Sequence, residues 1–250
     1  MFFAIAAALA AVWALLEPAE AVAFFDQDGR SPFELMTLPV FAAVVPAVWI
    51  FCPFGGSRLR RVLLCSAVTL VVVMAVAKEL DFHAAALHWL YPDCVGDGGA
   101  LVRGKFFKPN GSVLSGTPFK MRVLTNAAVP LGMKAAIVFY FAAFFGVFAA
   151  GLLWFLPAWI KGVFALEQTA WCFGCLGASG VVVQIADRLP SWLDHAFGLD
   201  KHAAEGVSAL SSLCTVFEEG MEMAIAVFAL MTVFSGWARL RRLRRGQPDR

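Results

Sequence analysis

The run FEEGMEMAIAVFALM, Phe217 to Met231, decides how this chain folds. Three carboxylates, Glu218, Glu219 and Glu222, stand at the head of a segment that is otherwise apolar. An ionised carboxylate is costly in hydrocarbon, so acids at such a place need a reason. Downstream the apolar character holds to Trp237 and then gives way to ARLRRLRRGQPDR, Ala238 to Arg250. A helix of about twenty residues crosses a bilayer core. The spacing therefore predicts a membrane span over about Leu213 to Trp237, closed by a basic tail.

The rest of the chain agrees in character. Of its 250 residues, 60% are hydrophobic and 15% charged, and the mean hydropathy is +0.75. A soluble domain is nearer ~45–50% apolar and ~25% charged. Alternating strands with a polar inner face are not visible, which argues against a β-barrel. The expected fold is all-α, a polytopic transmembrane helix bundle of about six spans forming one integral membrane domain over residues 1–250. The spans run about Phe2 to Phe24, Phe33 to Phe54, Val62 to Phe82, Lys134 to Phe155, Val163 to Ala186, and the last one. Pro39 and Pro46 fall inside the second span, where membrane helices tolerate them. The first span competes with a signal peptide, but MFFAIAAALAAVWALLEPAEA lacks the basic n-region such leaders carry.

Basic loops set the orientation. SRLRR, Ser57 to Arg61, joins spans two and three, and Lys161 lies between spans four and five. With the tail, these place the C-terminus on the cytoplasmic side of the membrane. Residues 83–132 then form a long outer loop, rich in Gly, Pro, Asn and Ser. AAALHWLY within it suits a short interfacial helix. The terminal RLRRLRR reads as an anchor for anionic lipid rather than a nucleic-acid site.

Helical rise converts these positions to depth. Twenty residues after Arg61 comes KELDFH, Lys78 to His83, and twenty residues before Arg239 is Glu219. Glu79, Asp81 and His83 thus lie level with Glu218 and Glu219 at the outer boundary, with Glu222 a turn deeper. On one helix Glu79 and His83 would share a face, as would Glu218 and Glu222. Three kinds of chemistry fit such a cluster. Crowded carboxylates share protons or hold small cations, Glu79, His83 and Glu222 suit a metal ion in a membrane hydrolase, and an acidic vestibule suits a cationic substrate. The bland alternative has the acids facing headgroups or outer water. A structural or scaffold subunit is a further class, expected to bring a partner with it. The leading expectation is cation- or proton-linked transport or sensing. The sequence assigns no cofactor and permits an oligomer in the lipid bilayer.

Six cysteines, Cys52, Cys65, Cys94, Cys172, Cys175 and Cys214, fall mostly in apolar runs and read as buried thiols. WCFGC, Trp171 to Cys175, resembles the redox pair of the vitamin K epoxide reductase family. That family's scheme needs a second outer pair, for which this chain offers only Cys94. The glycines of GCLGASG, Gly174, Gly177 and Gly180, suggest close helix packing. DHAFGLDKH, Asp194 to His202, reads as a solvated turn. Taken together, DGRSPFELMTLPVFAA, KELDFH, FKMRVLT and FEEGMEMAIAVFALM resemble uncharacterised polytopic inner-membrane proteins of bacteria. The resemblance implies about six helices and no assigned activity. Metal-dependent hydrolases of the ceramidase and progestin-receptor type are similar only in helix number and scattered His and Asp. The His-x-x-x-His element of their receptor-type members is absent, and no functional residue is carried over.

Overall fold

The computed structural model describes residues 1–26, 31–80, 82–97, 99–107, 111, 113–114, 118–119, 121–197 and 209–245. At residues 34, 78–79, 83, 121–122, 144, 147–148, 152, 191 and 194–197 the description covers the backbone alone. Among these residues there are nine helices: α1 (Phe2–Leu15), α2 (Pro18–Phe25), α3 (Pro32–Phe51), α4 (Arg58–Glu79), α5 (Phe82–Leu90), α6 (Met121–Leu124), α7 (Leu131–Phe164), α8 (Gln168–Phe197) and α9 (Ala209–Arg244). No strand is present among them, only two isolated antiparallel bridges, Val95 with Leu101 and Phe107 with Val113. The all-α expectation holds.

Three helical stretches are long and apolar enough to cross a membrane: Arg58–Ala77, Gln168–Pro190 and Ala209–Arg244. Little of their apolar surface is covered by protein. Only 11% of the apolar window of Arg58–Ala77 is buried, and 28% of each of the other two. A helix so uncovered would be unfavourable in water, whereas lipid tails solvate it. Shorter apolar stretches are Phe2–Leu15, Leu35–Phe51, Leu131–Ala143 and Leu153–Phe164.

The chain divides into two compact units, Met1–Val72 with Phe155–Arg250, and Val73–Trp154. In the first, α9 is the hub, with α1, α2, α3 and α8 all packed on it. Its core joins Leu9 of α1, Ala21 and Phe25 of α2, Val183 of α8, and Val216, Met221, Ala224 and Phe228 of α9. A single helix over Phe2 to Phe24 does not form. α1 stops at Leu15, Leu16 and Glu17 are extended, and Pro18 opens α2. Proline forces its predecessor out of the helical region and donates no N–H, so the break is local chemistry. At the new start, the Glu20 carboxylate accepts the Glu17 backbone N–H at 3.3 Å.

The α7–α8 boundary also moves. α7 was expected to end near Phe155 and α8 to begin near Val163, but α7 runs to Phe164. It closes with paired bonds, Glu167 N–H to Gly162 O at 2.8 Å and Leu166 N–H to Val163 O at 3.1 Å. Leu166 is left-handed there, with φ 57°. This is the six-to-one and five-to-two pattern that satisfies the last carbonyls of a helix.

Much of residues 83–132 packs into a core within the second unit. Leu87, Cys94, Val95, Leu101, Phe106, Leu114, Val123, Val129, Met133 and Ile137 form one buried apolar cluster. A short helix is present there as α5, with Trp89 exposed. His88 pins the segment after it. Its Nδ1 donates to the Val95 carbonyl at 2.7 Å, and its Nε2 faces Asp97 at 3.1 Å.

Candidate functional site: the carboxylates of helix α9

Glu218, Glu219 and Glu222 lie within a continuous helix, nine residues or more after its start at Ala209. They are not at a helix edge. Glu222 is only 7% exposed, while Glu218 and Glu219 are half-buried. The burial follows from the hub position of α9, which other helices wrap. Each of the three carboxylates takes part in a hydrogen-bonding or electrostatic interaction. Shared spacing of four residues puts Glu218 and Glu222 on one face, with Glu219 beside them.

Two side chains fix how α1 meets this stretch of α9. Trp13 donates its indole N–H to Ser212 Oγ at 3.0 Å, and Ser212 in turn donates to the Ala209 carbonyl at 2.9 Å. Gly220, between Glu219 and Met221, carries Leu9 directly against its backbone. A Cβ at Gly220 would overlap the Leu9 methyl groups. Sequence reading assigned close packing to the glycines of α8. There Gly174 faces the Trp159 ring, Gly180 reaches only Ile225, and Gly177 has nothing within contact. On α9, by contrast, close approaches occur at Gly220 and at Gly236 against Pro53.

α4 ends at Glu79 and a separate helix starts at Phe82, so Glu79 and His83 are not i and i+4 on one helix. Both belong to the second unit, whereas the α9 carboxylates belong to the first. The side chains of Glu79 and His83, and all of Asp81, lie outside the described residues. Among the described residues no three His, Cys, Asp or Glu side chains gather as a metal-ion set. On α8, Cys172 is buried and Cys175 half-buried beside the core of the first unit, both as free thiols. His195 and His202 of the DHAFGLDKH stretch fall outside the described side chains.

The opposite end of the hub is basic. Arg239 pairs with Glu167 at 2.7 Å, and Arg241 lies over the Trp237 ring at 4.7 Å. Phe51 of α3 packs edge-on against Phe234 and Trp237. These contacts gather the end of α3, the start of α8 and the end of α9. Glu167, just before α8, is thereby paired with Arg239.

No family model, curated protein or solved structure matches the chain.

What the arrangement can do follows from its chemistry. A carboxyl group withdrawn from water must be held neutral or be compensated by donors or cations. Clustered carboxylates on one helix face interact, so protons leave them as a set rather than one by one. Such a set can pass or hold a proton or a small cation.

Proposed function

We propose that the protein is a polytopic, six-span bundle of the bacterial inner membrane that carries out cation- or proton-linked transport or sensing. Glu222 is its central group, with Glu218 and Glu219 one turn away. The observation that supports this reading is the burial of Glu222 on the helix that four others pack against. An ionisable group inside a membrane bundle is costly to keep and is a functional candidate for that reason. The C-terminus faces the cytoplasm in this proposal. The gathering of Arg239, Arg241 and the α8 start at one end of the hub supports that orientation. About 25 Å of helix axis separates Glu222 from Arg239, so the carboxylates approach the outer side.

Glu222→Gln is the decisive variant, because it keeps shape and removes the titrating group. In proteoliposomes, proton uptake driven by an imposed potential, with and without a sodium gradient, should fall about tenfold, the equivalent of ~1.4 kcal/mol. For a sensor, the dependence of thermal stability on pH and sodium should flatten in the same variant. If both readouts match the wild-type protein, the proposal is wrong. Flux no faster than in protein-free vesicles, joined to a wild-type stability that ignores pH and sodium, sinks it equally.

A further inference from the structure

A second set of charged side chains gathers at the junction of α3 and α4, within the first unit and away from the α9 carboxylates. α3 ends at Phe51, and Cys52 turns the chain with φ 38°, in the left-handed region. Ser57 then caps α4, its Oγ accepting the Arg60 N–H at 3.3 Å and its carbonyl the Arg61 N–H at 3.1 Å. The two helices are clasped further along. Trp49 donates to Thr69 Oγ1 at 3.0 Å, and the Cys65 thiol donates to the Val48 carbonyl at 3.7 Å. Between clasp and cap is a cavity of about 240 Å³ lined by Trp49, Cys52, Arg58, Arg61, Val62 and Cys65.

The lining has one sign. It carries two guanidinium groups and no carboxylate, and the positive end of the α4 dipole adds to them. Metal cations are disfavoured there. Arg61 Nε is buried and has no hydrogen-bond partner among the described residues. Buried N–H groups are nearly always paired, so this donor calls for an acceptor. Guanidinium forks match phosphate oxygens in shape and charge. Beside the guanidinium groups the lining is apolar, and two of its members, Trp49 and Val62, are themselves exposed on the outside of the protein. A cationic floor with an apolar rim fits a molecule with a phosphate at one end and hydrocarbon at the other.

We infer that this hollow binds a phosphate group, that of an anionic glycerophospholipid, with Arg61 and Arg58 as the ligating side chains. The shared chemistry also admits inorganic phosphate, and the test separates the two sources. Full-length protein goes into nanodiscs of zwitterionic lipid containing a small fraction of phosphatidylglycerol. Lipid retained on the protein is read by native mass spectrometry after gentle stripping, and inorganic phosphate binding is read by calorimetry in detergent. Wild-type protein should retain phosphatidylglycerol over phosphatidylcholine. Arg61→Gln should lose that preference about tenfold, and Arg58→Gln, at an exposed position that folding tolerates, by a smaller factor. Arg61→Lys keeps the charge without the fork and should fall between. Arg103→Gln, at an exposed position of the second unit, should change nothing. Tight inorganic phosphate binding with no lipid preference overturns the lipid assignment. Equal retention in the Arg61→Gln and wild-type proteins, or an equal loss in Arg103→Gln, overturns the site.

Discussion

At the scale of single residues, the turn between α7 and α8 carries an identifiable cost. Leu166 adopts a left-handed backbone at a helix end where glycine is the usual occupant. It is 77% exposed, so its side chain contributes little packing. Leu166→Gly should therefore stabilise the protein by roughly 0.5–1 kcal/mol, visible as a higher melting temperature by circular dichroism in detergent. A lower one would show that the leucine side chain holds the turn. Residues of this kind explain what the sequence could and could not reveal. The three carboxylates of α9 were legible because charges interrupting an apolar run stand out at any window. Leu166 was not, because nothing in VFALEQT marks where the helix turns over. Arg58 and Arg61 were legible as topology markers only. That one of them has a buried, unpartnered Nε depends on how α3 folds back on α4, which spacing does not encode.

At the scale of elements, α9 organises the first unit, and Gly220 shows how closely α1 sits on it. Gly220→Ala places a methyl group against the end of the Leu9 side chain. Overpacking of this type costs about 1–3 kcal/mol. Leu9→Ala should relieve most of it, so the double variant should be less destabilised than the sum of the two singles. Thermal melts of the four proteins check this, and simple additivity would mean α1 shifts freely on α9. Element ends were the least legible feature. Phe2 to Phe24 is apolar enough to read as one helix, and only Pro18 argued otherwise. Its effect is backbone geometry, which hydropathy does not register. Likewise α4 and α5 separate just after Glu79, which dissolves the single-face relation of Glu79 and His83. The apolar cluster of the second unit was hidden for another reason. Its members, from Leu87 to Ile137, are scattered through Gly- and Pro-rich sequence and meet only after folding.

At the scale of the whole molecule, composition gave the helical class and the apolar exteriors of three long helices. The proposed orientation makes a direct prediction. A membrane-impermeant maleimide applied to intact spheroplasts should label Arg103→Cys, an exposed position in the second unit. It should label Arg244→Cys, near the end of α9, only after permeabilisation. Reversed labelling would invert the bundle and move the α9 carboxylates to the cytoplasmic half.

The hub role of α9 has a consequence for how the chain is made. α1, α2, α3 and α8 leave the ribosome before it, yet each finds its partner in α9. Synthesis proceeds at about 5–20 residues per second from the N-terminus, so these helices are made before the segment they pack on. A ribosome stalled before Ala209 would leave them with no common partner, exposed to quality-control proteases. Assembly of this unit is therefore decided by its last helix.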